Sequence, residues 1–355
     1  MGLFDNVLKS TESLFLDTLP LDIDFIPPIL EGREQEQQYI ATCIQPLFHQ
    51  RNGKNLLITG APGIGKTVAT KYVLQELNQK TDDISTIYIN CWKKDSPHKI
   101  ALEICDQIGF KFIQNRDTND LFKEIARILN KKSAVIVLDE ADKITDEQVF
   151  YHLLEEINRR TLILITNNEA WLPSLDSRVR SRLLVEALVF KPYTLAETRQ
   201  ILQKRIEFAF APGVVEAAAF TTLVEKTFTA KDLRVGLYLL KEAGELAEQQ
   251  AQKKITLAHA NKAIAQLKDF TLKSATTLDD HEQTILELVK SHSGVTTKDL
   301  YTIYQKKGGE QSYSNFHKKI KSLELGKFIT LDEKNEGANK STTVKYGMKT
   351  LQDFS

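Results

Sequence analysis

The segment Gly60-Ala61-Pro62-Gly63-Ile64-Gly65-Lys66-Thr67 constrains this chain more than any other. It has the form G-x-x-x-x-G-K-T, follows the apolar run Asn55-Leu56-Leu57-Ile58-Thr59, and precedes a helical pattern from Val68 to Leu77. A strand that breaks into a glycine-rich loop and continues as a helix points successive backbone N–H groups inward. The positive end of the helix dipole lies behind them, and that geometry fits a phosphate. In it Lys66 would reach the β- and γ-phosphates, and Thr67 would offer its hydroxyl to Mg²⁺. The bland alternative is a glycine-rich turn with an incidental lysine, which has no need of a strand before it and a helix after it. The loop is therefore read as a nucleoside triphosphate site, contacted by Ala61, Pro62, Gly63, Ile64, Gly65, Lys66 and Thr67.

A second motif completes such a site. Val135-Ile136-Val137-Leu138 is a buried-strand run that ends in two acids, Asp139 and Glu140. A parallel strand would deliver both carboxylates to its C-terminal edge, where ligands bind in such sheets. Asp139 then suits the Mg²⁺ shell and Glu140 suits polarising an attacking water. Another apolar run, Thr161 to Thr166, ends in Asn167, which either orients that water or simply caps a turn. Leu175-Asp176-Ser177-Arg178-Val179-Arg180-Ser181-Arg182 concentrates arginines of the kind that stabilise phosphoryl charge from a neighbouring subunit; a solvated turn is the competing account, preferred for Arg180. Arg234, in Lys231-Asp232-Leu233-Arg234-Val235, is placed either to swing onto the phosphates or to pair on the surface with Glu242.

The organisation around these motifs is modular, as 355 residues require. Residues 1–28 read as an acidic, apolar linker ending in the stiff Ile26-Pro27-Pro28, and a helix is expected from Glu31 to about His49. Strands at 55–59, 86–90, 134–138 and 161–166 alternate with helices at 66–78, 97–108, 119–130 and 146–157. That alternation predicts βαβ units and a parallel sheet covered on both faces, filling a domain over 29–193. Helices alone follow over 194–270, with starts at Thr194 (Glu197 three residues on), Gly213 and Lys231. A hinge is expected over Thr271–Thr277. Helices at 279–291, 296–306 and 312–325 and strands at 328–332 and 342–347, joined by a polar tip at 333–341, predict a winged helix over 278–355.

Composition excludes several classes. No apolar run approaches a membrane span and no secretory signal opens the chain, so a cytoplasmic, nucleoid-associated protein without a membrane partner is expected. Cys43, Cys91 and Cys105 are too few and too scattered for a disulfide framework or a zinc pattern, and are expected to be buried. Lysine and arginine total 47, as do aspartate and glutamate. The zero net charge argues against an all-round basic surface but leaves room for a local patch.

The motifs together resemble the archaeal replication initiators of the origin-recognition and cell-division-cycle type, within the AAA+ ATPases. The phosphate loop and Leu138-Asp139-Glu140-Ala141-Asp142 carry the AAA+ likeness. The more specific likeness lies in 175–181, in Phe190-Lys191-Pro192-Tyr193-Thr194, in Phe208-Ala209-Phe210-Ala211-Pro212-Gly213-Val214 and in 239–248. It implies an α/β P-loop AAA+ domain with an all-α lid, followed by a winged helix. It further implies ATP and Mg²⁺ as an assembly switch with slow hydrolysis, double-stranded origin DNA and the replicative helicase as partners, and self-association on DNA. By the same likeness Asn167 is the first sensor, Arg234 the second, and Arg182 or Arg178 the arginine finger. The segment near Glu31-Gly32-Arg33 packs on adenine, and Val68, Tyr193 and Arg205 join the nucleotide contacts. Where the family often has Gly-Asp-Ala-Arg before the second sensor, this chain has Lys231-Asp232-Leu233-Arg234.

In the last helix of the winged domain, Phe316, Ile320 and Leu323 recur at core spacing. Ser314, Asn315, Lys318, Lys319 and Lys321 are then left for a face that reads the major groove and phosphates. Lys334, Lys340 and Lys345 surround the wing tip. The alternatives are a winged helix that binds protein, in a signalling or mobile-element ATPase, or a clamp-loader-like motor, which would end in a helical collar.

Overall fold

In a computed structural model of the chain, which describes residues 13–28, 30–275, 280–309, 311–325, 329–336 and 339–346, the apolar runs become the strands of a parallel sheet. The strands are β1 (Leu56–Thr59), β2 (Ile84–Asn90), β3 (Ser133–Asp139), β4 (Arg160–Ile165) and β5 (Glu186–Val189), in the order β2-β3-β4-β1-β5. Every neighbouring pair is parallel. Around them lie α1 (Glu34–Ile44), α2 (Lys66–Lys80), α3 (Pro97–Gln107), α4 (Thr118–Leu129), α5 (Gln148–Glu155), α6 (Trp171–Ser174) and α7 (Ser177–Leu183). Side chains alternate across a strand, so continuous apolar runs feed two cores. Ala134, Ile136 and Leu138 of β3 enter one, and Val135 and Val137 enter the other. Because β4 lies between β1 and β3, Asn167, two residues past β4, falls between the glycine loop after β1 and the acids that end β3.

Two sequence expectations are corrected here. The helix over 31–49 is shorter: Gly32 turns at φ +74°, α1 starts only at Glu34, and Pro46 lies in a 3₁₀ turn over Gln45–His49. The edge strand β5 was not expected, since its residues alternate between half-buried and exposed instead of forming an apolar run. Glu186, its first residue, accepts from Tyr39 and pairs with Lys54 at 2.6 Å. Cys43, Cys91 and Cys105 are buried free thiols, and burial pushes Cys91 up to about 12.

The lid is formed by α8 (Leu195–Ala209), α9 (Ala217–Ala230), α10 (Leu233–Gln249) and α11 (Leu257–Ala275). Thr194 and Glu197 form the capping box that their spacing predicts. Gly213 does not start a helix. It turns at φ +75°, Val215 bridges to Ile255, and α9 begins after Glu216. Lys231 closes α9 at φ +52°, a left-handed position where the glycine common in the family would be unstrained. The expected hinge is helical through Ala275, with no glycine or proline to stop it, and 276–279 lie outside the described residues.

The linker, described from residue 13, packs against the lid helices. Leu14, Pro20, Leu21 and Pro27 are buried, and the Phe15 ring lies 4.7 Å from that of Phe210. Ser13 Oγ and Leu14 N donate to Glu248 at 2.6 and 2.7 Å. The expected linker residues 1–12 lie outside the described residues.

The chain divides into two compact units between Ile264 and Ala265. The second unit holds α12 (Asp280–Ser291), α13 (Thr297–Lys306) and α14 (Tyr313–Leu325) with β6 (Val295–Thr296), β7 (Ile329–Glu336) and β8 (Asn339–Tyr346). These strands form an antiparallel sheet in the order β6-β8-β7, so helices and wing together make a winged helix. Phe316, Ile320 and Leu323 are buried against Leu300, Tyr304 and Val344. The wing strands run further than expected, pairing out to Glu336 opposite Asn339, and of the expected tip 337–338 lie outside the described residues. Residues 347–355 also lie outside them. No helix among the described residues is long and apolar enough to cross a membrane.

Candidate nucleotide site and candidate nucleic-acid interface

The glycine loop needs its glycines. Gly60, Gly63 and Gly65 sit at φ +141°, +72° and +90°, and a Cβ on Gly65 would come within 2.3 Å of Tyr193 Oη. Beneath the loop, the buried Arg33 guanidinium donates to Ile64 O at 2.8 and 3.1 Å and to Lys191 O at 2.6 Å, and stacks 3.8 Å from the Tyr193 ring centre. Arg33 and Tyr193 therefore brace the loop from behind, Tyr193 also lining the cavity.

Lys66 stands at the centre of the site. Its Nζ donates to Gly60 O at 2.6 Å, Ala61 O at 2.8 Å and Asn167 Oδ1 at 2.6 Å. Burial, aided by nearby Arg234, lowers its pKa to about 8 against the pull of Glu140 and Asp139. Asn167 spans the gap that the strand order creates, its Nδ2 donating to both Glu140 oxygens at 3.0 and 3.2 Å. Glu140 takes φ +54° immediately after β3. Burial, then the charges of Asp139 and Asp142, raise its carboxyl above the usual range. Asp139 Oδ2 accepts from Thr67 Oγ1 at 2.7 Å and from Tyr88 Oη at 2.6 Å, while its Oδ1 accepts from Glu140 N at 2.9 Å. Thr67 and Asp139 thus stand together as hard oxygen donors beside the loop, the donor chemistry that Mg²⁺ takes.

The lid closes the site. Leu233 N donates to Gly63 O at 3.0 Å, and the Asp232 carboxylate accepts from Arg234 at 2.6 Å while capping α10. Arg234 lines the cavity, and its ion pair is with Asp232, not Glu242. Arg205 lines it too, but its buried guanidinium holds the linker, donating to Pro20 O at 3.0 Å and Phe25 O at 3.4 Å. The cavity of about 470 Å³ lies within the range of small-ligand sites, ~300–1,000 Å³. Pro62, Gly63, Gly65, Lys66, Thr67 and Val68 line it directly. Ile64 contributes its carbonyl and a core side chain instead.

With this geometry in hand, the chain matches two family models: the AAA domain over residues 49–170 and the Cdc6 AAA+ ATPase-type lid domain over 199–265. The ORC1-type DNA replication protein 1 of Sulfurisphaera tokodaii is 30% identical over 327 residues, covering 86% of this chain and 82% of that protein. The chain belongs to the ORC1-type DNA replication proteins. Among solved structures, that of Aeropyrum pernix ORC1 in complex with DNA aligns with TM-score 0.77 and 25% identity over 95% of both chains. The Cdc6p of Pyrobaculum aerophilum shares the fold, with TM-score 0.65 and 19% identity over 96% of this chain and 97% of that one. Membership makes this chain an AAA+ nucleotide-binding replication initiator.

Arg182 pairs with Glu155 and lies 5.3 Å from the Tyr151 ring centre, and neither it nor Arg178 lines the cavity of its own chain. On α14, Ser314, Asn315, Lys318 and Lys321 are exposed, but Lys319 is not on that face. Three residues past Phe316 and four before Leu323, it flanks the core stripe and pairs with Glu282 at 3.5 Å. Lys340 is placed by backbone register alone, opposite Asn335 on the wing. Sequence reasoning missed Tyr88, whose signal was its place near the C-terminal end of β2, and Asp232, whose carboxylate backs onto Gly63.

Proposed function

We propose that this replication initiator binds double-stranded origin DNA through its AAA+ and winged-helix units, uses Mg²⁺-ATP as the switch for assembly there, and helps to load the replicative helicase. One observation carries the switch: Lys66 and Glu140 are tied to the same asparagine, Asn167, while the lid residue Arg234 lines the cavity they share. A change at the γ-phosphate position would thus be felt both at the end of the sheet and in the lid. Thr67 and Asp139 would hold the Mg²⁺, which would supply charge neutralisation at the phosphates. Glu140 is the base that would polarise an attacking water, and Asn167 would hold its carboxylate in place. Arg182 or Arg178, outside the cavity of its own protomer, suits a finger offered to a second copy on DNA. Ser314, Asn315, Lys318 and Lys321 form the face that would enter the major groove, with Lys340 on the wing. The A. pernix ORC1 complex supports DNA as the ligand.

Footprinting on the DNA that flanks the protein's own gene, with and without ATP, tests the proposal. Protection of a discrete duplex site that changes with ATP is expected. Protection indifferent to ATP in both extent and position would refute the switch.

A further inference from the structure

The cavity wall holds a tyrosine that the proposed switch does not use. Tyr88, on β2, lines the cavity, and its Oη donates to Asp139 Oδ2 at 2.6 Å. Strand register explains the contact. Tyr88 pairs with Val137 and Asn90 with Asp139, so Tyr88 lies on the same face as Asp139, one side-chain position back along the neighbouring strand. The phenol spans that diagonal, where a shorter side chain would stop short. The ring is itself held in place. Lys71 Nζ of α2 lies 4.5 Å from its centre. Gln107 of α3 clasps the open edge of β2, accepting from Tyr88 N at 3.0 Å and donating to Tyr88 O at 2.8 Å. Asp139 is buried, and three donors fix its two oxygens: Glu140 N on Oδ1, with Thr67 Oγ1 and Tyr88 Oη on Oδ2. Thr67 spends its single hydrogen there, which leaves its oxygen lone pairs for a cation. Of the three donors, Tyr88 alone belongs to neither the glycine loop nor the acidic strand end.

We propose that Tyr88 is a positioning residue for Mg²⁺: its hydroxyl sets the orientation of the Asp139 carboxylate and, through it, the grip of the site on the metal that accompanies ATP. The inference rests on the reading of Thr67 and Asp139 as the Mg²⁺-holding pair and goes beyond it by naming the group that aims them. Hydrogen-bond partners of metal-holding carboxylates contribute about 10–100-fold in metal affinity.

Equilibrium titration of the full chain with ATP, in Mg²⁺ and in EDTA, tests this. The ratio of the two affinities is the gain that the metal confers, and each ratio is taken within one protein, so a smaller folded fraction cancels. Tyr88→Phe keeps the ring beside Lys71 and the backbone bonds to Gln107, and removes only the hydroxyl. It should leave the affinity in EDTA within about twofold of the wild type and cut the gain by about tenfold, or remove it where the wild-type gain is smaller. In an Asp139→Asn background, Tyr88→Phe should change the gain by less than about twofold, because the hydroxyl acts through that carboxylate. A purely structural role for Tyr88 would lower both affinities together and leave their ratio alone. That result, a Tyr88→Phe gain equal to that of the wild type, or a further loss of gain in the Asp139→Asn background would overturn the proposal. A wild type whose ATP affinity is indifferent to Mg²⁺ would instead sink the metal reading beneath it.

Discussion

Replacing Gly63 with alanine perturbs the contact on which lid closure depends. Gly63 sits at φ +72°, and an alanine Cβ there would lie 1.8 Å from Asp232 Oδ1 and 2.2 Å from its Cγ. Gly109 is a matched control, at φ +75° with nothing within 4 Å of its Cβ position. Both substitutions impose the left-handed backbone on an L-residue, at about 1–2 kcal/mol. Only Gly63→Ala must also displace Asp232. That costs α10 its N-cap, worth about 1 kcal/mol, and breaks a partly exposed pair with Arg234 worth less than ~1 kcal/mol. Gly63→Ala should therefore destabilise the protein by about 1–2 kcal/mol more than Gly109→Ala, read by urea unfolding, and should weaken nucleotide binding where Gly109→Ala does not. In an Asp232→Ala background the colliding carboxylate is gone, and the Gly63→Ala penalty should fall to the Gly109→Ala value. Equal penalties for the two glycines, or a Gly63→Ala penalty unchanged by Asp232→Ala, would refute the inferred loop–lid contact.

The remaining predictions concern charge and chemistry. With its pKa lowered from 10.5 to about 8, Lys66 loses its proton as pH rises through 8, and binding a triphosphate above that pH must take a proton up. ATP affinity measured by calorimetry should fall above pH 8, and Lys66→Arg, which stays charged, should flatten that fall. Because the unfolded chain holds this proton up to 10.5, the same group makes the nucleotide-free protein more stable as pH rises from 8 to 10.5, measurable by thermal unfolding. Glu140→Gln should bind ATP about as tightly as the wild type but hydrolyse it ~10²–10⁴-fold more slowly in a phosphate-release assay. Lys318→Ala with Lys321→Ala should weaken duplex binding and reduce the salt-dependence slope by about 2, whereas Lys319→Ala should change it little.

The parts of this protein that were legible in its sequence are those where one physical requirement dominates. Buried strands on both faces must be apolar throughout, so β1, β3 and β4 stood out, and a phosphate cradle must be glycine, so the loop did too. Thr194 and Glu197 declared α8 because a capping box needs both residues at that spacing. The edge strand β5 escaped because it is four residues long, opens on Glu186 and has only alternate residues covered. Gly213 misled because the same residue serves a helix boundary and a left-handed turn. Lys319 was misplaced by a shift of one side-chain position on a helix whose core stripe also runs through i+3. The docking of the linker was not legible because its anchors, Arg205 and Glu248, lie far away in the chain, and no local pattern records a long-range partner. Within the site, the Lys66–Asn167–Glu140 connection followed from strand order, which spacing alone does not specify.

The proposed function requires a glycine loop, an acidic strand end and a lid to converge on one Mg²⁺-ATP. Calorimetric titration of the full chain with ATP and Mg²⁺ tests that most directly, beside Lys66→Ala and Arg234→Ala. A single site that is lost in Lys66→Ala and weakened in Arg234→Ala is predicted. Binding that survives Lys66→Ala undiminished, or no binding by the folded wild type, would contradict it.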